Sequence, residues 1–168
     1  MARKANPTTR FYEIRPGSHG WARIWITDDG CFTCLSDWGN YGYWWGSPGC
    51  EFRQFLTTCD DDYLTGKLAG GKKELNGTET VFRIQEGILS LRRRGAITRE
   101  EAREEWDRLP TCFEHDVELS DWLRETDLSD AWEYALYERP RQLQEFVKHI
   151  WPLFVARLKH DLESEEAA

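Results

Sequence analysis

Trp21-Ala-Arg-Ile-Trp-Ile-Thr-Asp-Asp-Gly-Cys-Phe-Thr-Cys-Leu-Ser-Asp-Trp-Gly-Asn-Tyr-Gly-Tyr-Trp-Trp45 is the stretch that decides the fold. Over its first seven residues the pattern has a period of two. Ala22, Ile24 and Ile26 share one face, and Trp21, Arg23 and Trp25 share the other, which is the signature of a strand. Asp28-Asp29-Gly30 then supplies a tight turn whose glycine can adopt positive φ, and Cys31 to Ser36 returns as the next strand. Phe11 to Arg15 before this hairpin and Tyr41 to Trp45 after it complete a four-stranded antiparallel meander, with Asp37 to Asn40 as the second connection. Eight of the 25 residues from Trp21 to Trp45 are aromatic. That density is favourable only as core, interface or a platform for a flat ligand. Trp38, Tyr41 and Trp44 are expected to fix the sheet to the first helix, with Asp37 and Asn40 bonding turn backbone. Trp21, Trp25, Tyr43 and Trp45 form an alternative aromatic binding face.

Downstream the period changes to that of helices. Ser47-Pro48 reads as a helix start, followed by Phe52, Phe55, Leu56 and Cys59 at helical spacing. Asp60 caps a short helix that Gly70-Gly71 ends, and Thr78 caps another with a stripe of Val81, Ile84, Ile88 and Leu91. Arg92-Arg93-Arg94-Gly95 closes that helix with cations at its negative end. Thr98 and Glu101 form a capping box, with Ile97 placed to staple onto Ala102, and Pro110 ends the helix that follows. Ser120 and Ser129 are read as caps of two short acidic helices. A last helix starts near Pro140, carries Leu143, Val147, Ile150, Phe154, Leu158 and Leu162, and is kinked at Pro152.

The fold class expected is therefore α+β: an N-terminal four-stranded antiparallel sheet packed by helices, then a C-terminal acidic helical lobe. The division expected is 10–109 for the sheet-and-helix core and 110–168 for the lobe, together one cooperative domain. Five cysteines, an odd number, with no secretory leader point to reduced thiols and a cytoplasmic protein. No apolar run approaches the ~20 residues that span a bilayer, so no membrane partner is expected. Asn76-Gly77-Thr78 matches a glycosylation sequon but reads as a turn.

The net charge of −8 is uneven: residues up to Gly95 sum to +2 and the remainder to −10. Between Glu114 and Glu138 nine carboxylates (Glu114, Asp116, Glu118, Asp121, Glu125, Asp127, Asp130, Glu133 and Glu138) stand with a single cation, Arg124. Such a field repels nucleic acid and attracts basic surfaces, so direct nucleic-acid binding is not expected. Trp122, Trp132, Tyr134 and Tyr137 lie in the same tract and are residue types that anchor interfaces. The tract therefore reads as a partner-binding decoy for phosphates on a basic groove, against the plainer reading of a solvated face. Stacking of single-stranded bases on the aromatic face is the alternative, with Arg15, Arg23 and Arg53 as the nearby cations.

Other chemistry is poorly supported. Cys31 and Cys34 have the spacing of half a zinc site that Cys50 and Cys59 could complete, but residues three apart in a strand point to opposite faces. Neither metal nor cofactor is expected. His19, His115, His149 and His160 stand in no nucleophilic motif, and a Cys112–His115 pair is the one conceivable exception. Gly66, Gly70, Gly71 and Gly77 lack the strand and the Lys-Ser/Thr that a phosphate loop needs. The many carboxylates read as a solvated helical face rather than as a glycosidase-type pair, and no enzyme is expected.

The run from Ser36 to Trp45, Ser-Asp-Trp-Gly-Asn-Tyr-Gly-Tyr-Trp-Trp, resembles a family of small proteins of tailed bacteriophages and prophages. Glu51-Phe52-Arg53-Gln54-Phe55-Leu56, Asp62-Tyr63-Leu64 and Lys67-Leu68 carry the same resemblance, which covers about Phe11 to Leu109. It implies expression inside an infected bacterium. By analogy of class it implies a host-takeover inhibitor, such as an anti-CRISPR protein, whose partner is a host complex with a basic nucleic-acid-binding surface. It assigns no residue-level site.

Overall fold

The structure, a computed structural model, describes residues 6–18 and 20–167. The beginning of the basic tail, residues 1–5, and His19 lie outside them. Among the described residues six strands and seven helices follow in the order β1 (Thr9–Ile14), β2 (Ala22–Thr27), β3 (Cys31–Ser36), β4 (Gly39–Trp44), α1 (Phe52–Thr58), α2 (Asp61–Leu68), β5 (Glu74–Leu75), α3 (Gly77–Arg93), α4 (Arg99–Asp107), α5 (Asp116–Glu125), a 3-10 turn (Ala131–Tyr134), β6 (Tyr137–Glu138), α6 (Arg141–His149) and α7 (Trp151–Glu166). The fold is α+β, and the meander has the expected antiparallel order β1-β2-β3-β4.

The chain divides into two compact units. One is built from residues up to Lys72 together with Arg139 onward, and the other is Lys73–Glu138. The division therefore does not fall at residue 110. The second unit is inserted between α2 and α6, and its two ends pair as the short ribbon β5–β6, Glu74 opposite Glu138 and Leu75 opposite Tyr137. Nor does the acidic lobe run to the end of the chain, because α6 and α7 belong to the sheet unit.

In the sheet unit, alternation sends Tyr12, Ile14, Ala22, Ile24, Ile26, Phe32 and Cys34 to one buried face. Leu143, Phe146 and Val147 of α6, Ile150 between the helices, and Trp151, Phe154 and Leu158 of α7 close it. Phe154 meets Tyr12 edge-on at 5.3 Å between ring centroids, and Phe146 meets Tyr41 at 5.1 Å. Pro152 does more than kink the terminal helix. Lacking an N–H in the first turn of α7, it separates α6 from α7 at Ile150. Gly30 turns the first hairpin at φ 95°, where a Cβ would fall 2.1 Å from the Trp45 carbonyl oxygen. In the second turn the Ser36 hydroxyl donates to the Gly39 carbonyl (2.7 Å) and accepts from the Trp38 N–H (3.2 Å), the bonding role expected of Asp37 and Asn40.

The aromatic contacts differ from expectation by one residue. Trp45, not Trp44, anchors α1: it is buried, its ring lies 5.8 Å from Phe52 and 5.9 Å from Phe55, and its Nε1 donates to the Tyr63 hydroxyl at 3.0 Å. Tyr41 and Trp38 pack on α6, through Phe146 and His149, rather than on α1. Helix α1 starts after Glu51, whose carboxylate accepts from the Gln54 N–H, so Ser47 does not cap it. Asp60 caps α2 as expected, accepting from the Tyr63 N–H at 2.7 Å.

The inserted unit has its own core. Val81, Ile84 and Ile88 of α3 pack with Phe113, with Leu119 and Trp122 of α5, and with Leu128 and Ala131. Asn76, not Thr78, caps α3. The Thr98–Glu101 capping box is present, and Gly95 closes the α3 terminus at φ 72°. Neither Ser120 nor Ser129 caps a helix: Ser120 lies inside α5, and Asp130 in the left-handed region (φ 55°) precedes the 3-10 turn.

Candidate functional site

The division of the chain sharpens the charge pattern. Lys73–Glu138 holds 9 basic and 17 acidic residues, while the sheet unit holds 13 of each. The whole net charge of −8 therefore sits in the inserted unit. Glu114, Asp116, Glu118, Asp121, Glu125, Asp127, Asp130, Glu133 and Glu138 are all exposed.

Helix α5 explains part of that display. Leu119 and Trp122 are drawn into the core, which turns Glu118, Asp121 and Glu125, at i, i+3 and i+7, onto one solvent flank. Successive carboxylates along that flank rise by about 4.5 and 6 Å. Asp121 pairs with Arg124 at 2.8 Å, an exposed i, i+3 pair of little energetic weight. Glu118 accepts from the Glu114 N–H (2.7 Å) near the positive end of the helix. Asp116 accepts from the Tyr137 hydroxyl at 2.7 Å, which pushes that phenol above its ordinary pKa. The Asn76 amide donates to Glu138 (3.1 Å), bracing β6.

Trp122 is not an anchor for a partner, because it is a core residue with its ring 6.0 Å from Phe113. The most exposed aromatic of this tract is Trp132, at 65% exposure, which the 3-10 turn carries outward beside Glu133. Tyr137 is exposed as expected. Sequence reading missed Glu105, which is buried and accepts from the Thr126 hydroxyl (2.6 Å), the Asp127 N–H (3.1 Å) and Arg108 (3.2 Å). It ties α4 to the loop after α5 and so fixes the backbone from which Asp127 projects. Its position three residues after Ala102, on the inward stripe of α4, is the signal that could have revealed it.

The alternative aromatic face is split by the register. Trp21 and Trp25 lie on the outer side of the sheet, but Tyr43 stands opposite Phe32 on the inner side and Trp45 is core. Phe11, opposite Trp25, and Trp44, opposite Cys31, take their places outside, with Leu35. Phe11 and Trp25 rings lie 5.3 Å apart, and Phe11 and Trp44 are more than half exposed. Arg23 and Arg15 reach this side but both pair with Glu13. Arg53 is elsewhere. It is buried, bonded to both carboxylate oxygens of Glu165 (2.7 and 2.8 Å) and to Glu51 (2.7 Å), and those partners hold it charged.

The cysteines do not converge: Cys34 is buried, Cys50 exposed, and no group of three or more His, Cys, Asp or Glu among the described residues gathers as metal ligands. Burial pushes the Cys34 thiol up to about 12 and the Cys59 thiol up to about 11, far from the thiolate range at neutral pH. The Cys112 sulfur accepts from the Thr78 hydroxyl (3.3 Å) and lies 3.5 Å from the Phe113 carbonyl, while His115 occupies the N-cap position of α5. Among the described residues no helix is long and apolar enough to cross a membrane.

No curated protein and no solved structure matches this chain. A family model described as a phage family matches residues 1–160, nearly the whole sequence, and the chain belongs to that phage family.

Proposed function

We propose that this phage protein is a non-catalytic inhibitor of a host defence complex, most concretely a CRISPR effector, acting in the bacterial cytoplasm by occupying a basic nucleic-acid-binding surface. The observation that carries the reading is the confinement of the entire net charge of −8 to one unit, with nine exposed carboxylates between Glu114 and Glu138. Each exposed charge contributes little alone, so the decoy works through their number, by steering encounter and excluding the phosphates that the partner would otherwise hold. Trp132 and Tyr137 supply the apolar contacts that charge alone lacks.

The test is capture of host proteins on the immobilised chain at low and moderate salt, with the captured complex assayed for loss of its own nucleic acid. Binding is expected to weaken steeply with salt. It is also expected to drop at least tenfold when Asp121, Glu125, Asp127 and Asp130 are replaced together by lysine. A partner held equally at both salt concentrations, or equally by the lysine variant, rules the decoy out.

The exposed Phe11 and Trp44, with half-buried Trp25 beside Phe11, favour a second reading on the outer sheet face, a stacking platform for a nucleotide or single strand. It predicts quenching of tryptophan fluorescence by oligonucleotides, lost in Trp44→Ala.

A further inference from the structure

We propose that the free edge of β1 is a docking site for an extended, acidic polypeptide segment of another protein, which adds as a fifth strand beside α7. A groove of about 600 Å³ is lined by every residue from Phe11 to Arg15 and by Leu153, Ala156, Arg157 and His160. Successive residues of a strand point to opposite faces, so a groove that touches five in a row runs along the strand's backbone edge. The Thr8 carbonyl accepts from the Asp28 N–H at 3.1 Å, which places residues 8, 10, 12 and 14 in hydrogen-bonded register with β2. The alternate residues Phe11 and Glu13 therefore turn their N–H and C=O groups outward. Among the described residues nothing meets those groups.

The other wall is one stripe of α7, since positions 153, 156, 157 and 160 follow at i, i+3, i+4 and i+7. Leu153 is 44% exposed, and the methyl of Ala156 leaves room for an incoming side chain. A free strand edge facing a helix across a groove is the arrangement in which an added peptide gains its affinity from main-chain bonds and its specificity from alternate side chains. The lining holds Arg15 and Arg157 against one carboxylate, Glu13. Each arginine is held by one carboxylate, Glu13 and Asp161 respectively, and a guanidinium has five donors, so both keep N–H groups for a carboxylate on the incoming segment. The site is independent of the acidic unit.

The probe is a fluorescently labelled seven-residue peptide alternating valine and glutamate, with its valine–lysine counterpart as control, read by anisotropy on the full chain. The glutamate peptide is expected to bind at least tenfold more tightly and to slow amide exchange at Phe11 and Glu13. Glu13→Pro removes an outward donor without touching the β2 ladder, and Ala156→Trp fills the groove from an exposed helix position. Each is expected to cost binding at least tenfold, and Ala156→Trp serves alone if Glu13→Pro fails to fold. Equal binding of the two peptides, no binding at millimolar concentration, or indifference to Ala156→Trp overturns the proposal. So does exchange protection of Phe11 and Glu13 that grows with protein concentration without peptide, which would place a second copy in the groove.

Discussion

The sheet unit and the inserted helical unit solve the same problem with opposite surfaces. The first balances its charges and buries one face of a meander under α6 and α7, leaving Phe11, Leu35 and Trp44 exposed on the other face. The second has a smaller apolar core and carries around it the whole net negative charge of the chain. A decoy needs a surface whose charges are not spent on internal ion pairs, and in the inserted unit Asp121 is the tract carboxylate that pairs with an arginine. In the sheet unit, where acids and bases balance, Glu165 and Glu51 hold buried Arg53, and Arg10 pairs with Glu165 at 3.1 Å.

The largest effects that would break this comparison are core truncations, one in each unit. Phe154→Ala is expected to cost the sheet unit about 3–5 kcal/mol, and Ile84→Ala to cost the inserted unit about 2–5 kcal/mol. Urea denaturation of the full chain gives the sums, and amide exchange by helix tells which unit opens. Exchange in α3 and α5 that rises as much for Phe154→Ala as for Ile84→Ala would show that the two cores are not separate supports. Next in size is a pair of glycine substitutions with opposite signs. A Cβ at Gly87 would fall 2.4 Å from the Tyr134 ring, so Gly87→Ala should destabilise the inserted unit by about 1–3 kcal/mol. Gly66, inside α2 with its nearest neighbour atom 4.0 Å from such a Cβ, should gain about 0.4–1 kcal/mol on Gly66→Ala. Thermal melting checks both.

The smallest effect concerns acid. Arg53 and Arg10 lower the pKa of Glu165 below the ordinary glutamate range. A carboxylate whose pKa is depressed by folding stabilises the native state above its unfolded value, about 4.3, and that contribution is lost as pH falls through the folded value. Glu165→Gln should therefore narrow the loss of stability between neutral pH and pH about 3, measured by urea midpoints. In the other unit Glu101 is also lowered, first by the Thr98 backbone N–H, and Glu101→Gln keeps the capping geometry, so its effect should be smaller. An equal effect of the two would show that a cap carboxylate contributes as much as one that clamps a buried arginine.

The meander was legible because its evidence is local. Alternation in Ala22–Thr27 and a glycine after two aspartates state strand and turn within ten residues. Tyr41 to Trp45 carries rings at four of five positions, so alternation could not say which of Trp44 and Trp45 faces inward. Helix starts failed where several side chains compete to cap, as with Ser47 and Glu51 or Thr78 and Asn76, since cap choice depends on tertiary direction as well as residue type. The insertion was illegible for a different reason: its closure rests on pairing Glu74 with Glu138, and nothing near either residue announces a partner so distant in sequence. Acidic display was predicted from charge density, but the inward turn of Trp122 required the neighbouring core.

The β5–β6 ribbon has one more implication. Because the strands that enter and leave Lys73–Glu138 lie side by side, their ends are separated by roughly one strand spacing, about 5 Å. That is a gap a turn of two or three residues can bridge. The intervening polypeptide is thus exchangeable in principle: a shorter loop, or a foreign module with adjacent termini, could be spliced at the same junction without lengthening the host's connection. A phage lineage could thus exchange this unit whole, by cassette replacement, without altering the core of its host.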